Sequence, residues 1–298
     1  MVTKARAPGF HVKGKHVFIT GGSSGIGLAT AKKYAKAGAK VSIIARDAKK
    51  LARAKLEIEA VRKHADFPVF MQSCDVVDFE SQEGGGGCKF LPQAAGIVEP
   101  GYFMEQYVAG FWRSMDINYF GCIHVVHAAL PAMIKQRDTE GGNEGGQIVL
   151  VGSAFSLMAC IGSAQYSSSK YAVRGLAESL RNELKLYDIA LVHSTLANVD
   201  TPMLEHELAL TPPETKTIEG VSTPLSPRGC STDDDKRNCE GPFQHYDRPA
   251  CLSSAHPVER SHAETQHGAG NRGAAARHIV DYSRWKRTKQ RKSEKKGQ

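Results

Sequence analysis

Residues 16–20, His-Val-Phe-Ile-Thr, form a short apolar run that ends in Gly21-Gly22-Ser23-Ser24-Gly25-Ile26-Gly27. Ile26, Ala29, Thr30, Tyr34 and Ala37 then keep a helical period, and Gly38 supplies a stop. Residues 40–45 (KVSIIA) read as a second strand. Strand, glycine-rich turn, helix, strand is a βαβ unit, which commits the chain to an α/β fold on a parallel sheet. The predicted class is a Rossmann-like doubly wound sheet in a single domain.

Gly21 permits the tight turn. Gly25 and Gly27 let the backbone approach a pyrophosphate and let the helix pack close to the sheet. The helix N-terminus offers free N–H groups and a positive dipole end to phosphate. Gly21, Ser23, Ser24, Gly25, Ile26 and Gly27 are therefore candidate cofactor contacts. A glycine-rich loop alone is also an ordinary loop; the strand before it and the helix after it make dinucleotide binding the stronger reading. The second strand ends Ile44-Ala45-Arg46, with Asp47 one step later. Asp47 suits a helix N-cap, ahead of a stripe of Leu51, Ala54, Ile58 and Val61. Arg46, helped by Ser23, suits a ribose 2′-phosphate, which favours NADPH over NADH. The plain alternative for Arg46 is a solvated arginine.

A second constellation lies downstream. Ser153 closes an apolar run, Tyr166 follows thirteen residues later, and Lys170 four after that. On a helix, Tyr166 and Lys170 share one face. A phenol titrates near pH 10, and an ammonium beside it is expected to pull that value down, making Tyr166 a usable proton donor. Ser153 can hold the same substrate oxygen. Tyr-x-x-x-Lys alone arises by chance in many helices, so its weight comes from the rest of the chain.

Residues 69–76 read as a third strand with Asp75 at its ligand-binding end. Residues 77–95 do not continue the pattern. Gly84 to Gly87 cannot sit in a good helix, and Pro92 argues against a central strand. A helix is missing before the fourth strand, and that strand is expected to be damaged. Helix resumes over about 104–136, with Asn118 in its middle. Strands follow at 147–153 and 190–196, separated by a helix to about Tyr187, and then come Asn198, Asp200 and Thr201. The expected folded unit is 14–225. Residues 226–298 lack any sustained period and read as a disordered tail.

The formal charge of +8 is local, because eight Lys or Arg and one Glu fall within 284–298. This describes a basic tail, and no nucleic-acid partner is expected. Tail-driven binding to RNA or an anionic membrane is the competing reading. Seven cysteines without a C-x-x-C pair favour reduced thiols, and their spacing with histidine fits no zinc template, so no metal is expected. No run of about 18 apolar residues is present, and no signal peptide opens the chain, so no membrane span is expected.

Thr20-Gly21-x-x-x-Gly25-x-Gly27, Asn118, Ser153, Tyr166 and Lys170, in that order and spacing, resemble the short-chain dehydrogenase/reductases. The likeness spans roughly 14–221. It is nearest to the branch that reduces long-chain 3-keto bases of sphingolipid synthesis, through HVFITGGSSGIG, IIARDAKKL, MDINYFGCIHVVHAALPAM, YSSSKYAVRGLAESLRNELKLYDIAL and VDTPML. The resemblance implies that Tyr166 protonates a ketone oxygen as hydride arrives from nicotinamide. It implies that Lys170 holds the nicotinamide ribose, that Ser153 binds the substrate oxygen and that Asn118 supports a water path. Asp75 would contact adenine, Gly96 would steady the cofactor, and Thr201 would meet the carboxamide. It further implies a lipid substrate, room for a homo-oligomer, and peripheral contact with the cytosolic face of the endoplasmic reticulum; the alternative location is cytoplasmic.

The chain departs from the family at Gln93-Ala94-Ala95-Gly96, where the family has Asn-x-Ala-Gly, and at Leu196-Ala197, where it has Pro-Gly. No candidate for the last helix and edge strand follows Val221. Abrupt composition shifts make 77–93 and 228–298 candidates for misread exon boundaries. The competing readings are a reductase of another lipid carbonyl and a non-enzyme, a truncated or catalytically impaired homologue.

Overall fold

Strands β1 (His16–Thr20), β2 (Lys40–Ala45), β3 (Phe70–Ser73), β4 (Phe90–Gln93), β5 (Gly146–Val151) and β6 (Ile189–Ser194) form one sheet in the order β3-β2-β1-β4-β5-β6. Every pairing is parallel. This computed structural model describes residues 12–81, 88–139, 145–219 and 223–227. The lead-in before Val12, the Gly84–Gly87 run and the basic tail lie outside the described residues.

The strands read as apolar runs because both faces are covered. Val17, Ile19, Val41, Ile43 and Phe90 pack with Ala31, Ala35, Leu51, Ala54 and Ile58 of helices α1 (Gly25–Lys36) and α2 (Ala48–Glu59). Phe18, Ile44, Leu91, Ile148 and Leu150 point the other way. They meet Val125, Ala129 and Met133, then Val173, Ala177 and Leu184. These belong to α4 (Gly121–Thr139) and α5 (Ala164–Leu184), with α3 (Val108–Met115) preceding. Alternate residues of one strand thus feed two cores, as the period-2 geometry of a strand requires. Two short helices, α6 (Pro202–Leu210) and α7 (Pro213–Glu219), follow β6. Asp47 caps α2 as expected, its carboxylate accepting from Lys50 N at 3.0 Å.

The expectation of a damaged fourth strand is overturned. β4 pairs with β1 and β5 and is buried along its length. Lys89 N donates to His16 O at 2.9 Å, Ala94 N to Thr20 O at 3.3 Å, and Gln147 N to Lys89 O at 2.7 Å. Pro92 removes one ladder donor, but bonds on both sides and a buried location hold the strand in a centre that proline usually avoids. Residues 88–93 therefore belong to the fold. The lost helix is real among the described residues, where only a 3-10 segment (Val76–Ser81) follows β3. Leu91 is fully buried between the two neighbouring strands. Leu91→Ala should cost about 2–5 kcal/mol, read as a lower denaturation midpoint at unchanged slope.

The helical stretch Val108–Asp138 is long and apolar enough to cross a membrane by composition. Its Ile117, Val125, Ala129 and Met133 lie in the core facing the sheet, which accounts for its hydropathy without a bilayer.

Candidate active site

The strand order reverses direction between β1 and β4, and the carboxyl ends of these strands open a crevice there. One cleft at this point is lined by Gly21, Ser23, Ser24, Gly25, Ile26, Gly27, Arg46, Asp75, Gly96, Ser153, Tyr166, Lys170 and Thr201. All the sequence-derived positions except Asn118 reach it.

The glycine turn leaves no space for side chains. A Cβ on Gly27 would lie 2.2 Å from Gly21 O, and one on Gly21 would lie 2.7 Å from Ala94 O. Ser24 is the N-cap of α1 but makes no side-chain capping bond, so the first-turn N–H groups are not used up by a cap. Asp75 accepts from Val77 N at 3.1 Å. Thr201 caps α6, accepting from Leu204 N at 3.2 Å and donating to Val199 O at 3.1 Å.

The Gln93 departure is accommodated locally. Ala95 N donates to Thr20 Oγ1 at 3.1 Å, and Thr20 Oγ1 donates to Gln93 Oε1 at 3.2 Å. Gln93 Nε2 is buried with no partner, a cost of about 1–3 kcal/mol. The second departure is held by Ala154 N donating to Leu196 O at 2.8 Å.

Tyr166 and Lys170 stand one turn apart on α5, with Ser153 just past β5. The Ser153 hydroxyl stands beside the Tyr166 phenol, favouring its ionised form, and accepts from Phe155 N at 3.2 Å. The Phe155 ring packs edge-on against Tyr166, centroids 6.0 Å apart. Lys170 Nζ lies 5.6 Å from the Tyr166 ring centroid and donates to Val151 O at 2.9 Å. The expectation that Lys170 pulls the Tyr166 pKa down is corrected. Burial, then the Glu207 carboxylate, push the phenol well above its usual value, and only the Ser153 hydroxyl opposes them. Lys170 is itself held below the usual lysine range by burial, and its amine is turned to a backbone carbonyl. A raised value keeps Tyr166 protonated, which is the form that donates.

Asn118 sits in a π-helical turn, Asp116–Phe120, between α3 and α4; such turns often mark functional positions. Its side chain stands behind the cleft. Asn118 Oδ1 accepts from Ile97 N at 2.8 Å, and Nδ2 donates to Ile97 O at 3.0 Å and Ser169 Oγ at 2.9 Å. A Cβ on Gly96 would come within 3.2 Å of Asn118 Oδ1. Asn118 therefore fixes the chain after β4 against the helix that carries Tyr166 and Lys170.

The family pattern described as short chain dehydrogenase matches residues 15–209. This chain belongs to the short-chain dehydrogenase family. It is 33% identical over 243 residues to the 3-ketodihydrosphingosine reductase of Dictyostelium discoideum, covering 74% of this chain and 70% of that one. It is 36% identical over 225 residues to the 3-dehydrosphinganine reductase of Danio rerio, covering 72% of this chain and 66% of that one. The chain thus spans about two thirds of the length of these relatives. Levodione reductase has the same fold, with a TM-score of 0.64 at 22% identity over 74% of this chain and 88% of that one.

As a short-chain dehydrogenase the chain is an oxidoreductase that takes a nicotinamide cofactor and a small-molecule substrate. The glycine cradle, the uncapped helix end and the Ser153–Tyr166–Lys170 group all fit that cofactor. Sequence reasoning assigned substrate choice to the segment 203–219 without naming a residue in it; Met203 and Glu207 of that segment line the cleft, as do Lys50 and Phe155, which it did not single out. Lys50 was legible from its place in the first turn of the helix that follows Arg46. Phe155 and Glu207 carry no motif, and Met203 falls in VDTPML, a stretch that gave it no separate role.

Proposed function

We propose that this chain reduces the ketone of a long-chain 3-keto base, 3-ketodihydrosphingosine, to the alcohol with NADPH. The observation that carries the reading is the Ser153–Tyr166 hydroxyl pair, backed by Lys170, in a cleft that also contains the glycine cradle. It occurs in a chain whose relatives bear that reductase name. The glycine cradle would hold the dinucleotide, which when bound would supply the hydride. Ser153 and Tyr166 hold the carbonyl oxygen between two hydroxyls. As negative charge gathers on that oxygen, the Tyr166 O–H breaks and its proton completes the alcohol. Phe155, Met203 and Leu204 give the cleft apolar surface suited to an alkyl chain. In this reading the catalytic unit is 14–225, and it works at the cytosolic face of the endoplasmic reticulum, where a lipid substrate resides.

The cofactor preference rests on Arg46 and Lys50 at the adenosine end of the cleft. Asp47, the nearby carboxylate that could hold a ribose hydroxyl, is occupied as the N-cap of α2. Arg46→Ala should therefore weaken NADPH by roughly tenfold, the loss of one charge-assisted contact, and leave NADH nearly unaffected. Fluorescence titration with both nucleotides checks this.

The functional test is NADPH consumption by the purified chain with 3-ketodihydrosphingosine. Turnover of this ketone supports the reading. Consumption with other ketones but none with this one overturns it.

A further inference from the structure

One charged side chain in the cleft has no task in the chemistry above. Thr201 caps α6, Leu204 anchors it in the core, and Glu207 follows three residues later on the same face. Met203, Leu204 and Glu207 all line the cleft with Ser153 and Tyr166, while Glu205 and His206 are exposed. Among the described residues the Glu207 carboxylate has no hydrogen-bond or ion-pair partner. Burial, then the charge of Glu219, raise it to about 7. It lines the same cleft as Tyr166, and its charge helps to raise the phenol.

A half-buried, unpartnered carboxylate is costly unless a cation arrives. The other cleft cations do not fill this role. Arg46 and Lys50 stand at the adenosine end, and Lys170 is committed to Val151 O. The dinucleotide is anionic. The remaining source is the second substrate, and in the reading proposed above that substrate carries an amine on the carbon next to its ketone.

We propose that Glu207 selects an aminoketone over a plain ketone, its carboxylate pairing with the ammonium beside the carbonyl that Ser153 and Tyr166 hold. This rests on the proposed function for the identity of the substrate. The ligand class it defines is narrower than a lipid ketone: a primary ammonium one carbon from the reacting carbon, followed by an alkyl chain against Met203 and Leu204. A raised carboxyl is drawn back to its ionised form by such a cation, so the pair forms where an isolated Glu207 is only half ionised.

The test uses two matched pairs of short-chain, water-soluble ligands. One pair is the aminoketone and the same ketone without its amine, read as kcat/KM. The other is the aminoalcohol product and the same alcohol without its amine, read as binding by calorimetry with NADP present. Wild type should prefer the amine at least tenfold in both pairs. Glu207→Gln should lower the preference 10- to 100-fold while still binding NADPH. Should Glu207→Gln not fold, Glu207→Asp, which keeps the charge and shortens the reach, serves for the same comparison and should lower the preference by a smaller factor. Absence of an amine preference in wild type overturns the proposal. So does a variant that weakens both members of a pair equally, since that marks a merely structural side chain. If wild type reduces neither ketone yet still prefers the aminoalcohol through Glu207, the proposed reaction fails and the recognition stands.

Discussion

Tyr166→Phe is expected to lower kcat for ketone reduction by about 10²–10⁴-fold, the range for loss of a positioned general acid. NADPH affinity should move little. The substitution is conservative in every respect but one. The ring still meets Phe155 edge-on and still lies under Lys170 Nζ, and only the hydroxyl is lost. Ser153 cannot take over, because an aliphatic hydroxyl is a far weaker acid than a phenol. It also loses its hydroxyl neighbour, at a stability cost of about 1 kcal/mol, too small to explain the kinetic loss. Burial holds the phenol above its free value of 10.0, so the protonated form persists through about pH 9. Reduction consumes that form, and its rate should stay flat from about pH 7 to 9 as far as Tyr166 is concerned. Oxidation of the alcohol needs the phenolate and should climb over the same interval. Steady-state rates in both directions, with wild type and variant, test this. Equal reduction rates would remove Tyr166 as the proton donor.

The parts of the fold and site that were legible in the sequence are those set by local rules. The glycine turn declares itself because each glycine answers a separate steric demand. Asp47 was readable as a cap because a carboxylate three residues before a helical N–H has few other uses. Ser153, Tyr166 and Lys170 were readable by spacing. β4 was misjudged because the rule against proline in central strands describes an average, whereas this strand is set by its neighbours: β1 and β5 hold it on either side. The direction of the Tyr166 shift was misjudged for a related reason. Spacing shows that Lys170 is near, but it does not show that burial outweighs the charge, or that the amine turns to Val151 O. Glu207 was not singled out because it lies beyond VDTPML, the part of α6 that carries a recognised pattern. Its importance depends on which face of a nine-residue helix meets the cleft, and tertiary packing settles that.

The same distinction between local rule and tertiary contact ranks the glycines of the turn. Gly27→Ala should weaken NADPH at least 100-fold, about 2.7 kcal/mol, and lower the melting temperature. The added methyl would sit 2.2 Å from Gly21 O, 2.7 Å from Gly21 C and 3.2 Å from Gly22 Cα. These are backbone atoms with nowhere to go. Gly21 has φ 66° and abuts Ala94 O, and Gly22 N donates to Ile44 O at 3.2 Å. The turn is thus pinned to the ends of β1, β2 and β4, and the displacement must pass into α1. That helix packs on the sheet through Ala31 and Ala35, so moving it loosens the core and tilts the N–H groups that receive phosphate. Gly25→Ala should do less. Its φ of 51° costs roughly 1–2 kcal/mol for a side chain, but the new methyl would meet Thr201 Cγ2 at 3.1 Å, the end of a side chain. Nucleotide titration and thermal melts of both variants give the order directly. If Gly27→Ala binds NADPH as tightly as Gly25→Ala, the cradle is not the rigid element that positions the cofactor.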